Sequence, residues 1–324
     1  MKRKKFLFNM IGAGTLLTMN GFSSIASERS ENNKLQPKTS VEMATFGAIH
    51  LNNTNLIKSV AFWTTIVGMR LRKLTSNFAE FGTEKVTLVV VHEAATKSYQ
   101  KGFSGLYHFA IHPPNEAEFA SMLHRLNVNK YPYSPVDHTM SKSIYLEDPD
   151  GINVEFTLET PERFKRVVTE KGIAMEGTDG VIRPASARLD LEESLRHLKD
   201  TNIFKMISEE TKIGHFHLYA NNVEASNTFY KNIGFSKFNY MPEYLYADVG
   251  AGGDYKHRIA MNAWHGINRP LAPKENAGMR HFQIIFESEQ TLQKGILNIK
   301  NTTQKDGGYW ISDPSGNNIL LTSK

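Results

Sequence analysis

The chain has 324 residues, 40% of them hydrophobic and 22% charged, with a formal net charge of +5 and no cysteine. Such a length buries a sizeable core and points to about two domains. The missing cysteine excludes disulfides, thiol nucleophiles and thiolate metal sites, leaving His, Asp and Glu as the strong ligands. No basic stripe with interleaved aromatics occurs, which argues against nucleic acid as a partner.

The chain opens on a positive run, Lys2-Arg3-Lys4-Lys5, followed by a mostly apolar stretch from Phe6 to Met19 and by Ser24-Ile25-Ala26. This is the layout of an export signal over 1–26, cleaved after Ala26. Asn9 and Asn20 leave the run too short for a membrane span, so none is expected after cleavage. An uncleaved anchor is the alternative. Arg3-Lys4-Lys5-Phe6-Leu7 is a degenerate twin-arginine pattern, an address for cargo folded before export to the periplasm or the medium. Residues 27–43 are polar and read as a tether.

From there the chain repeats itself. His50-Leu51 precedes Phe62-Trp63 by the spacing that separates His217-Leu218 from Phe229-Tyr230, and Gly68 and Gly234 close the two helices. These aromatics read as helix-face core. A second pair begins at His108-Phe109 and His281-Phe282. It ends on two turn signals, Asp148-Pro149-Asp150-Gly151 and Asp313-Pro314-Ser315-Gly316. Four units follow, over 44–95, 104–160, 211–265 and 277–324, each a strand, a helix and several strands. They form two halves, 44–160 and 211–324. Between them, 161–210 is a charged linker in which Leu189, Leu191, Leu195 and Leu198 predict one amphipathic helix. The fold class is α+β with mixed, strongly curved sheets. Gly250-Ala251-Gly252-Gly253 reads as a hairpin loop.

One run carries chemistry: Val136-Asp137-His138, a spacer, Ile144-Tyr145, Asp148-Pro149-Asp150-Gly151, then Asn153-Val154-Glu155. Strand alternation puts Asn153 and Glu155 on one face. A carboxylate there needs a partner, because burying it unpaired is costly. A cation would supply one.

The run resembles the signature of extradiol ring-cleavage dioxygenases. The four-unit repeat is similar to the vicinal-oxygen-chelate superfamily, which includes glyoxalase I and bleomycin-resistance proteins, and most resembles the bacterial catechol 2,3-dioxygenase type. The likeness spans roughly 44–324. It implies four βαβββ modules in two tandem domains and a metal held by two histidines from first strands and a glutamate from a last strand. That set leaves positions open for a catechol and dioxygen. Carried over, His108 and Glu155 fill the positions in the second module and His215 in the third. The first module has Ala48 instead, and the fourth has His281 with Leu320 where the glutamate belongs.

Neither half holds a complete set, but the second and third modules together do. The resemblance therefore implies that the halves exchange partners. It also implies Fe(II), with Mn(II) the alternative, a catecholic substrate and O2 as partners. His257 is the implied acid/base, and Tyr145 and His138 bind or orient the substrate oxygens, with Asp137 fixing the His138 tautomer. His217 shares a strand face with His215 and is expected in the pocket. His281 is a weaker pocket candidate. His50, His92, His112, His124 and His265 read as ordinary core or surface histidines. Two other functions fit the scaffold: a glyoxalase-like metal-dependent isomerase or lyase, and a non-catalytic binder of an aromatic or an antibiotic. Self-association into a homo-oligomer is left open.

Overall fold

A computed structural model describes residues 41–324. The signal expected over 1–26, and the tether up to residue 40, lie outside the described residues. Each of the four units is a βαβββ module. The first runs Ala44–Asn53, a helix Leu56–Ala61 continuing as a π-helical turn Phe62–Ile66, then Arg70–Leu74, Phe78–Gly82 and Thr87–Glu93. The second has strands Gly105–His112, Ser134–Asp137, Ser141–Glu147 and Asn153–Glu159, with helix Glu116–Val128 after the first. The third has Lys212–Tyr219, helix Val223–Asn232, Ser236–Met241, Tyr246–Gly250 and Ile259–Asn262. The fourth has Gly278–Phe286, helix Glu289–Ile296, Thr303–Lys305, Gly308–Ser312 and Asn318–Ser323.

Local chemistry repeats with the modules. Asn55, Asn115, Asn222 and Ser288 cap the four helices, each side chain accepting from a backbone N–H in the first turn. Of the four expected helix-face aromatics, Phe62, Trp63 and Tyr230 are buried, and Phe229 packs on the core from its edge.

The modules make two eight-stranded mixed sheets, and neither follows the halves 44–160 and 211–324. The first and fourth modules share one sheet, joined by the antiparallel pairing of Ala44–Asn53 with Gly278–Phe286. The second and third share the other, joined by Gly105–His112 with Lys212–Tyr219. First strands alternate apolar and polar residues, so pairing two of them makes a wide sheet with one core face. Phe46 of the first module and Phe216 of the third meet at 5.0 Å, and Phe216 lies 4.3 Å from Phe282 of the fourth, so the sheets share one core.

Two details of the linker and tether differ from expectation. Only Leu191–Leu195 of the leucine run is helical; the segment before it carries a three-stranded sheet, Phe164–Val168, Ala174–Gly177 and Ile182–Pro184. These strands are too short to show alternation in sequence. The tether's last residues are pinned: Met43 N donates to Ala251 O at 2.8 Å, and Glu42 pairs with the buried guanidinium of Arg258 at 2.5 Å.

Candidate metal centre and cavity

The second-and-third-module sheet carries the site. Residues opposite each other across a strand pair point to the same face. Here His217 pairs with His108, Tyr145 pairs with Glu155, and Ala110 pairs with both His215 and Glu155. Pairing thus gathers side chains far apart in sequence onto one face. A register shift between Ile213 and His215 turns His215 toward that cluster.

His108, Glu155 and His215 are each no more than 3% exposed. Glu155 Oε2 lies 3.0 Å from His108 Nε2 and 2.8 Å from His215 Nε2, and the two Nε2 atoms are 3.4 Å apart. Their donor atoms lie within 4.8 Å of one another, as three ligands of one ion require. Despite these short separations, Glu155 Oε2 has no aligned hydrogen bond. The lone pairs of the imidazoles and the carboxylate converge instead of facing donors. Burial acts to raise the Glu155 carboxyl, but the facing imidazoles of His215 and His108 outweigh it and hold it well below the usual carboxylate range. Burial drives His215 well below the usual imidazole value, against the pull of Glu155. An ionised carboxylate and neutral imidazoles are what a cation needs. The donor set fits a divalent metal.

His215 is held from behind. His112 Nε2 meets His215 Nδ1 at 2.9 Å, His112 Nδ1 meets Glu159 Oε1 at 2.8 Å, and Arg258 Nη1 donates to the same Glu159 oxygen at 2.6 Å. Gly214 makes room for this stack: a Cβ there would sit 2.1 Å from the His112 ring. His112, read from sequence as an ordinary core histidine, contacts and orients the His215 ring. Its signal was parity, since 108, 110 and 112 alternate onto one side of a strand.

A cavity of about 440 Å³ opens over these residues. His257, His138, Tyr145 and His217 all line it, so every expected site residue except His281 is brought together. His257 Nδ1 lies 2.7 Å from Asp248 Oδ2, which also accepts from Tyr246 Oη at 2.9 Å. Neither Asp248 nor Tyr246 carries a sequence motif, and both escaped the reading of the chain. His138 Nδ1 meets the Ala185 carbonyl at 2.6 Å, so Nδ1 is the protonated nitrogen and Nε2 accepts from Tyr145 Oη at 2.9 Å. Burial keeps His138 below the usual imidazole value. Burial, with Glu155 nearby, raises Tyr145 well above the usual phenol value. Asp137 does not fix the His138 tautomer as expected. Its carboxylate accepts from Thr139 N and pairs with Arg163. His217 is neutral through burial, and its Nε2 meets Asn262 Nδ2 at 2.8 Å.

His281 belongs elsewhere. It sits in the other sheet, stacked on His50 at 3.9 Å and against Trp310 at 4.7 Å, and does not line the cavity. A second cluster, Glu116, Glu193 and His197, is part-exposed and both its carboxylates are salt-bridged to Lys142.

Comparison with known proteins agrees with this geometry. The profile of the Glyoxalase/Bleomycin resistance protein/Dioxygenase superfamily matches residues 45–156. A catechol-2,3-dioxygenase of Bacillus subtilis is 26% identical over 276 residues, covering 83% of this chain and 93% of that protein. Among solved structures, a Bacillus subtilis protein provisionally described as a dioxygenase aligns with a TM-score of 0.51 at 13% identity, over 86% of this chain and 85% of its own. A glyoxalase I variant from Zea mays aligns with a TM-score of 0.50 at 13% identity, over 87% and 94%. These structural likenesses concern the fold. Four βαβββ modules paired across two mixed sheets, together with the profile matched over 45–156 and the 26% identical relative, support a place for this chain in the glyoxalase/bleomycin resistance protein/dioxygenase superfamily, the vicinal-oxygen-chelate proteins.

Proposed function

We propose that the protein is an extradiol ring-cleaving dioxygenase that acts on catechol-type aromatics with iron(II) and O2. The observation that carries this reading is the company the metal set keeps. His108, Glu155 and His215 share one cavity wall with two prepared proton carriers, His257 on Asp248 and Tyr145 on His138. The name of the Bacillus subtilis relative points the same way.

Iron(II), or manganese(II), held by His108, His215 and Glu155 supplies a redox-active centre with open positions for a vicinal diol and dioxygen. The chain's own residues supply the rest. With its Nδ1–H donating a hydrogen bond to Asp248, His257 presents Nε2 to the cavity, where it takes a proton from a catechol hydroxyl and later returns it. Tyr145 donates to His138 Nε2, so its oxygen is free to accept from the second substrate hydroxyl. The apolar walls exclude water from the reacting ring.

An isomerase of the glyoxalase kind has less support, because Glu155 is the one carboxylate in the metal set. The test is to load the full chain with iron(II) without oxygen, add catechol and admit air. Oxygen uptake with a yellow ring-fission product is expected. If no substituted catechol consumes oxygen, the reading fails. Export through 1–26 belongs to the same proposal and is checked by finding Ser27 as the N-terminus of the secreted protein.

A further inference from the structure

The linker between the halves does more than connect them. Its three-stranded sheet supplies Val167 and Met175 to the cavity lining, Ile173 adds to it from the turn just before the second strand, and Ala185 follows directly after the last strand. The pairing register explains why this small sheet has two unlike faces. Met175 lies opposite Val167, so both side chains leave on one side, and these are the residues that reach the cavity. Glu176 lies opposite Arg166 and pairs with it at 2.6 Å, and with Lys165 at 2.6 Å, on the other side. An apolar face therefore turns inward and an ion-paired face turns outward.

The segment is tied down over the site. Asp137 and Ala187 exchange both backbone hydrogen bonds at 2.9 Å, and Arg163 reaches Asp137 at 2.7 Å. A chain of contacts then runs inward from the roof: Ala185 O to His138 at 2.6 Å, His138 to Tyr145 at 2.9 Å, and the Tyr145 ring 5.3 Å from that of the ligand His108. The roof thus lies beyond the His138–Tyr145 pair as seen from the metal set. Val136, Met140 and Met241 continue the apolar wall, and among the described residues no lysine or arginine lines the cavity.

We infer that this roof selects the substrate: a catechol carrying an uncharged, apolar substituent on the ring carbons away from the two hydroxyls. The inference takes the diol-binding end from the proposed function. A ring whose hydroxyls face His108, Glu155 and His215 directs its far edge toward Val167, Ile173 and Met175. Alkyl carbons there leave water for an apolar surface, each methylene favouring binding severalfold. A carboxylate there loses its hydration with no cation to replace it. The cavity of about 440 Å³ falls within the range of small-molecule sites and leaves room for such a chain.

The test measures binding apart from turnover. The full iron(II)-loaded chain is titrated by calorimetry, without oxygen, with 4-butylcatechol, catechol and 3,4-dihydroxybenzoate. Butylcatechol is expected to bind at least about tenfold more tightly than the carboxylated diol. Val167→Ala with Met175→Ala should narrow that ratio by about fivefold. Met175→Arg should move it the same way by strengthening the carboxylate's binding. Equal affinity for the two ligands in the wild-type chain overturns the inference, as does an unchanged ratio in both variants. Admitting air to the same samples separates the two claims. Selective binding without oxygen uptake removes the dioxygenase reading and leaves the roof's selectivity standing.

Discussion

The two sheets share topology strand for strand but differ in chemistry. In one, His217 faces His108 across the central seam; in the other, His50 faces His281 at the corresponding place. The first seam is completed by His215 and Glu155, whose counterparts in the second are Ala48 and Leu320. Without a carboxylate, the silent sheet's imidazoles satisfy one another: His50 Nδ1 meets His92 Nε2 at 3.0 Å, and the His50 and His281 rings stack. Burial takes His50 down to about 3 and His281 to about 4, so both are neutral at physiological pH. A paired first-strand seam therefore builds a platform of imidazoles, and the seam of the second and third modules adds His215 and Glu155, which complete a set that could hold a metal ion.

The sharpest way to break that contrast is Glu155→Ala. It should abolish both metal retention, read by elemental analysis after dialysis, and oxygen uptake, whereas His281→Ala in the silent sheet should alter neither. Metal retained by the Glu155 variant would mean that the imidazoles suffice and that the two sheets differ for another reason. Next in size is Asp248→Asn. Losing the acceptor that orients His257 should lower kcat by about two orders of magnitude or more, leave metal content intact and alter the pH profile of kcat. A change in KM alone would make Asp248 a structural residue.

Much of this was legible in the sequence, for identifiable reasons. Histidines at fixed distances from strand starts, and turns of the Asp-Pro-x-Gly type, are local signals that survive without structure. They marked the modules, and the family resemblance they carry pointed to His108, Glu155 and His215. Knowing that no single half held a full set was enough to expect the exchange of partners. What escaped was whatever depends on contacts between distant strands. His112 acts only because Gly214, on a neighbouring strand, leaves space for its ring. Asp248 acts only because Tyr246–Gly250 runs beside the strand that follows His257. The roof escaped because its strands are as short as three residues. His281 misled because a family position says nothing of its neighbours.

A smaller effect is expected behind the ligand His215. His112→Ala should weaken metal binding about 10- to 100-fold, the usual cost of removing a partner that orients a ligand. Gly214→Ala should do the same by displacing the His112 ring, and His50→Ala in the silent sheet should have no such effect. Competition with a chelator reads all three. If Gly214→Ala binds metal normally while His112→Ala does not, the glycine is not what seats the ring.

The smallest effect concerns stability, and it uses the one feature both sheets keep. The Asp-Pro-x-Gly turns clasp the opposite sheet. Asp148 of the second module accepts from Asn53 of the first at 2.6 Å, and Asp313 of the fourth accepts from Tyr230 of the third at 2.9 Å. Burial lifts Asp148 from 3.8 to about 6 in the folded chain, with its hydrogen bonds from Asn53, Ile152 and Asp150 resisting. Between those values the native protein holds a proton that the unfolded chain has lost. The group's contribution is therefore complete below the lower value and is lost as pH rises through the upper one. A net shift of that size, hydrogen bonds included, corresponds to about 3 kcal/mol. Asp148→Asn, which cannot titrate, should flatten the fall in denaturation midpoint between pH 4 and pH 6 relative to the parent. An identical slope in the two proteins would mean that the Asp148 carboxyl keeps its ordinary value and that the clasp is made by an ionised carboxylate; burial raises Asp313, its counterpart in the other sheet, in the same direction.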